Sequence, residues 1–139
     1  MDKPTQTSVR NWLKKADEYL RAAEHEFNGE FYARSISTAY YAMFYAATGA
    51  LASIDVERKG HIRVVSAFGE HFTKSGKISK QFSLLLIQAK DQCKACDYSA
   101  NPTVNRTLAQ KQLDEAREFV SAVTKRLALD GLMTHQLFN

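Results

Sequence analysis

The sequence predicts an all-α protein, an up-and-down four-helix bundle with an additional short helix, and three observations predict it. Proline is absent between Pro4 and Pro102, the glycines at 29, 60 and 76 fall where helical periodicity breaks, and no stretch alternates with the two-residue period of a strand. The chain of 139 residues, 45% hydrophobic and 24% charged, suffices for one modest core. The same composition excludes a disordered tail or a collagen-like repeat. A single helical domain over 1–139 is expected, with its core at about 8–129 and a tail at 130–139.

The first helix should open near Ser8, a suitable N-cap, and run to about Phe27, because Trp12, Ala16, Tyr19, Ala23 and Phe27 recur at spacings of three and four. Asn28-Gly29 stops it. The second should run from about Glu30 to Ser53, with Tyr32, Ile36, Ala39, Tyr40, Met43, Ala47 and Leu51 inward. Tyr41, Phe44 and Tyr45 widen its apolar arc, which makes it the central helix of the bundle. A shorter third helix around 58–73 carries Ile62, Val65, Phe68 and Phe72 on one face. The fourth opens with Ser79 as cap and continues through Phe82, Leu85, Leu86, Ala89, Cys93 and Cys96. Asn101-Pro102-Thr103 then forms a turn, with Thr103 capping a last helix over about 104–129 whose inward residues are Leu108, Leu113, Ala116, Val120, Val123 and Leu127. In the tail, Leu132, Met133, Leu137 and Phe138 offer apolar side chains to a partner.

The formal charge is +4, and all of the excess lies in the C-terminal half. Residues 1–70 hold nine basic and nine acidic side chains, whereas 71–139 hold ten against six. Within 71–111 the ratio is seven to two, a density suited to phosphates at low salt, although a lysine-rich solvated face accounts for it equally well. The 20 residues from Ser35 to Ile54 carry no charge, but many are Ala, Tyr, Ser or Thr, so a helix buried on most sides is expected in place of a membrane span. The opening Met-Asp-Lys-Pro-Thr does not resemble a secretory signal, and with two cysteines in the chain a reducing, cytoplasmic setting is expected.

Cys93-Lys-Ala-Cys96 has C-x-x-C spacing, but a zinc site needs four ligands and no second pair accompanies it. Near the C-terminus of a helix the dipole disfavours thiolate, so two small, inert helix residues are the expected reading. His25 and His135 are expected to be solvent-exposed. His61 and His71 flank the aromatic face of the third helix, and their ten-residue separation turns them about 80° apart, too far to share a metal unaided. Phosphate-binding glycine loops, G-x-S-x-G and H-E-x-x-H are absent, which excludes the common NTPase, esterase and zinc-protease readings. No metal and no cofactor is expected.

Three blocks remain. They are Ala39-Tyr40-Tyr41-Ala42-Met43-Phe44-Tyr45-Ala46-Ala47 in the second helix, Lys59-Gly60-His61 with Phe68-Gly69-Glu70-His71-Phe72 in the third, and Asp97-Tyr98 closing the fourth. In this order and spacing the chain resembles the HEPN domain (higher eukaryotes and prokaryotes nucleotide-binding), in its small stand-alone prokaryotic branch, over about residues 10–127. The resemblance implies a helical bundle, often a homodimer, frequently made beside a minimal nucleotidyltransferase as a toxin–antitoxin pair. It also implies kinship with metal-independent ribonucleases whose signature is an Arg followed, after four to six residues, by His. In such a pair the cation holds the scissile phosphate, and the imidazole moves a proton at the ribose 2′-hydroxyl.

No histidine of this chain has an Arg at the required distance; Arg63 precedes His71 with seven residues between. The branch commonly places an Arg five residues before the tyrosine of its Asp-Tyr pair, and that position here is Cys93, whose thiol has neither the charge nor the two-pronged geometry of a guanidinium. The expected function is therefore a nucleotide- or RNA-binding module with a degenerate ribonuclease motif, acting with a partner nucleotidyltransferase. Lys90, Lys94, Asp97 and Tyr98 are the binding candidates, with His61 and Arg63 beside them if the third helix packs there. No catalytic residue is assigned. The alternatives are an active metal-independent ribonuclease toxin and a purely structural dimerisation or adaptor bundle.

Overall fold

In the computed structural model, which describes residues 3–100 and 103–131, helix α1 spans Lys3–Asn28. It begins ahead of Ser8, which is an interior residue and not a cap: the proline at position 4 falls in the first turn, where its missing N–H costs no helical hydrogen bond. At its other end the left-handed residue is Glu30, with φ of 68°, and not Gly29. Glu30 N–H donates to the Phe27 carbonyl (3.0 Å) and Phe31 N–H to that of Glu26 (2.9 Å), the paired bonds that close a helix through one left-handed residue.

Helix α2 (Tyr32–Ala52) runs back along α1 and packs on every other helix, as the charge-free run from Ser35 to Ile54 predicts. Ile36, Ala39, Tyr40, Met43, Ala47 and Leu51 are buried, and Tyr41, Phe44 and Tyr45 are half-buried around them. At Gly49 the two helices approach closely: a β-carbon built there would lie 3.0 Å from Trp12 Cβ.

The third element is shorter than predicted. Helix α3 (His61–Phe68) starts after Gly60, whose φ of 90° suits glycine, and passes into a π-helical turn, Gly69–Thr73. Val64, Val65, Phe68 and Phe72 are buried, but Ile62, expected inward, is 75% exposed. His61 takes the inward place at the start of α3, its ring centroid 4.5 Å from that of Phe44, and the next residue is rotated outward by about 100°.

Helix α4 (Gln81–Tyr98) has no side-chain cap; Ser79 contributes its carbonyl, to Phe82 N–H, and not its hydroxyl. Helix α5 (Arg106–Leu129) is capped by Asn105, whose Oδ1 accepts from Leu108 N–H at 2.9 Å, in place of the predicted Thr103. Both residues suit a cap, and the amide is the one whose extended backbone precedes the first turn. Phe119 of α5 is fully buried against Phe68 (5.2 Å between centroids) and Phe82 (6.3 Å), joining α3, α4 and α5 in one core. The Asn101-Pro102 part of the predicted turn, His135 and the tail residues Leu132, Met133, Leu137 and Phe138 lie outside the described residues. Among those described, no helix is long and apolar enough to cross a membrane.

Candidate functional site

Arg34, Ser37, Thr38, Tyr41 and Tyr45 follow one another at helical spacings, so they form one stripe along α2. Tyr19 of α1 and Asp97 of α4 face that stripe across a polar cleft of about 280 Å³. Asp97 joins the walls: Oδ1 accepts from Ser37 Oγ at 2.7 Å and Oδ2 from the Cys93 thiol at 3.4 Å.

Burial holds the Cys93, Cys96, Tyr41 and Tyr45 groups in and behind this wall in their neutral forms. Burial pushes the Cys93 thiol up to about 12, and the neighbouring Asp97 charge adds to the effect. Burial likewise raises Cys96, so the C-x-x-C pair consists of two free, protonated thiols. Burial and a hydrogen bond with Tyr19 raise the Tyr45 phenol to about 12, and burial, followed by Cys93 and Asp97, raises Tyr41. The cleft therefore offers neutral hydroxyl groups around one carboxylate, with the Arg34 guanidinium in its wall.

Beside it stands a second polar cluster. The Tyr40 hydroxyl and His61 Nδ1 share a hydrogen bond of 2.7 Å across α2 and α3. Burial, followed by the Lys90 charge, lowers the His61 pKa, which keeps the imidazole neutral near pH 7. The unfolded chain thus takes up this proton first as pH falls. His61 contributes stability that is fully present above about pH 6.5 and is lost progressively below it. Thermal melts should show Tm falling between about pH 7 and 5.5, with a shallower fall in His61→Gln; identical slopes would show that the histidine does not contribute.

The residues singled out by sequence are distributed as follows. Asp97 lines the cleft, and Lys90 is half-buried, its ammonium 3.5 Å from Asp91 and close enough to His61 to act on it. Lys94 and Tyr98, four apart, share an outer face of α4, with Tyr98 84% exposed. Arg63 is exposed and lies two residues beyond His61, about 160° around α3 from it. Sequence reasoning missed Arg34, Ser37 and Tyr19. The signal available was the polar stripe at 34, 37, 38 and 41 interrupting an otherwise apolar central helix. A larger depression of about 590 Å³, between α1, the end of α2 and residues 55–58, holds none of the predicted residues and mixes Asp55 and Glu57 with Arg58 at its rim. Among the described residues, no three His, Cys, Asp or Glu side chains gather as a metal site would require.

A family model described as the HEPN domain matches residues 9–127. The chain belongs to the HEPN family. The resemblance carried by the Ala-Tyr-Tyr-Ala, His61 and Asp97-Tyr98 blocks is thereby borne out. This HEPN chain is similar to "Putative toxin MJ0142" of Methanocaldococcus jannaschii, 27% identical over 121 residues, covering 87% of this chain and 82% of the relative. It is also similar to a UPF0332 protein of Archaeoglobus fulgidus, 33% identical over 108 residues, covering 78% and 86% of the two chains. The crystal structure of TT1696 from Thermus thermophilus superposes with a TM-score of 0.73 at 19% identity, over 86% of this HEPN chain and 98% of that one, a likeness of fold.

Proposed function

We propose that this HEPN chain is a nucleotide- or RNA-binding module that works with a partner nucleotidyltransferase in a toxin–antitoxin-type system, its ribonuclease signature being degenerate. The observation that carries this reading is the Asp97 cleft. A carboxylate ringed by neutral phenol and hydroxyl groups suits the hydroxyls and base edges of a nucleotide. Cys93, where the branch carries Arg, is a buried neutral thiol that cannot stabilise charge on a phosphorane. Relatives named as toxins support the system, and the exposed Tyr98 phenol is accessible to a partner enzyme.

Two copies would pair through α4. This helix is apolar on both sides, with Leu86, Ala89 and Cys93 buried while Leu84 and Ile87 remain exposed on the outer face of its first half, well ahead of Lys94 and Tyr98. A second copy covering that face would bring two clefts into one assembly.

Purified protein should bind a single-stranded RNA octamer with an affinity that falls as salt rises, and Lys94→Ala should weaken it several-fold. Absence of binding at about 50 mM salt would overturn the reading. The ribonuclease alternative has one observation in its favour, the neutral His61 imidazole beside Lys90. It requires cleavage of RNA without added metal, abolished in His61→Gln.

A further inference from the structure

Arg34 stands at the junction of two concavities. Among the described residues it is the only cation lining the Asp97 cleft, and it also lines a groove of about 650 Å³ at the α1–α2 turn, together with His25, Asn28 and Phe31. Its Nε–H donates to Glu26 Oε2 at 3.1 Å, which ties the guanidinium to α1. Among the described residues no partner occupies its two Nη groups, and the side chain is 78% exposed. A guanidinium held by Nε, with both Nη groups open to solvent, is oriented for two parallel hydrogen bonds to a phosphate.

Phe31 is the second observation. It is 66% exposed, unusual for a phenylalanine, yet it is not loose. Its N–H is bonded to the Glu26 carbonyl, and its ring lies against Gly29, where an added β-carbon would come within 3.1 Å of ring carbon Cδ2. An aromatic ring held out to solvent beside an oriented guanidinium is the arrangement by which proteins hold single-stranded nucleic acid.

We propose that Arg34 pins a phosphodiester of single-stranded RNA between the two concavities, with one nucleoside in the cleft of Asp97 and Tyr41 and its neighbour stacked on Phe31. This deepens the RNA-binding reading and rests on it. Glu26 and Asp97 put carboxylates beside Arg34, so the local field is not strongly positive. The attraction comes from directed hydrogen bonds, which a lysine cannot reproduce.

The test uses the full chain, a 5′-fluorescein octauridylate followed by anisotropy, and uridine 5′-monophosphate followed by NMR titration. Arg34→Gln and Arg34→Lys should each weaken octamer binding about ten-fold, and Phe31→Ala and Phe31→Leu should do the same while leaving the mononucleotide unchanged. Lys125→Gln, an exposed cation near the end of α5, should change it less than about two-fold. Wild-type affinity in Arg34→Lys would show that charge and not the fork matters, and equal binding by the Phe31 variants would remove the second subsite; either result overturns the proposal. If the wild type binds and no variant differs, this inference fails while the RNA-binding reading stands. If the wild type does not bind, both fail.

Discussion

Phe119→Ala should lower the unfolding free energy by about 3–5 kcal/mol, the largest single-residue loss expected in this protein. The ring has no solvent exposure and meets Phe68 and Phe82, so α3 and α4 lose their common neighbour on α5 at once. Phe68 itself stacks on Phe72 at 5.5 Å, and the cavity would open toward the π-helical turn. Equilibrium urea unfolding measures the loss directly, and a Tm decrease of roughly 10–15 °C should accompany it in a chain of this size. Phe119→Leu should cost distinctly less, because it removes the ring but keeps most of the volume. A loss below about 1 kcal/mol for Phe119→Ala would mean that the core collapses around the deletion, contrary to a tightly packed junction of α3, α4 and α5.

Gly49→Val should destabilise by about 1–3 kcal/mol through the opposite fault, overpacking. A β-carbon at 49 already meets Trp12 Cβ at 3.0 Å and the Val9 carbonyl oxygen at 3.6 Å, and one side of that contact is backbone. Branching at the β-carbon adds two methyl groups beside a contact that is already tight, which should force the two helices apart. The separation reaches the candidate site, because Trp12 stacks on Tyr45 at 5.8 Å and Tyr45 meets Tyr19 at 4.9 Å, both of these tyrosines lining the cleft. Gly49→Val should therefore weaken RNA binding as well as stability, whereas Phe119→Ala should leave binding intact below its own melting temperature. Gly49→Ala, requiring a shift of a few tenths of an ångström, should cost less than the valine. If Gly49→Val melts with the wild type, the close approach of α1 and α2 is not a constraint on the fold.

The helical architecture was legible because it rests on spacing. The 36-39-40-43-47-51 pattern of α2 and the 113-116-120-123-127 pattern of α5 bury as their periodicity demands. Boundaries were less legible. Ser8, Ser79 and Thr103 have the side chains of caps, but a cap also needs extended backbone and a free amide within reach, and Asn105 is the residue that has both. Ile62 failed for a related reason: a four-position apolar pattern over one short helix tolerates a rotation, and the pairing of His61 with Tyr40 decided it.

The candidate site divides in the same way. Asp97 and His61 stood out as chemistry-bearing residues in the blocks that carry the HEPN resemblance, and the lack of an Arg at the spacing that the resemblance implies was readable by counting. Nothing in the spacing ties Ser37 to Asp97, 60 residues apart, or Arg34 to Glu26 across a left-handed turn. What the sequence by itself determined is the set of helices and the family, since both follow from local periodicity and ordered motifs. Only the tertiary structure decided which polar side chains share a cleft. That depends on the angle and depth at which α1, α2 and α4 pack, and these are set by contacts such as Gly49 against Trp12 that no single segment encodes.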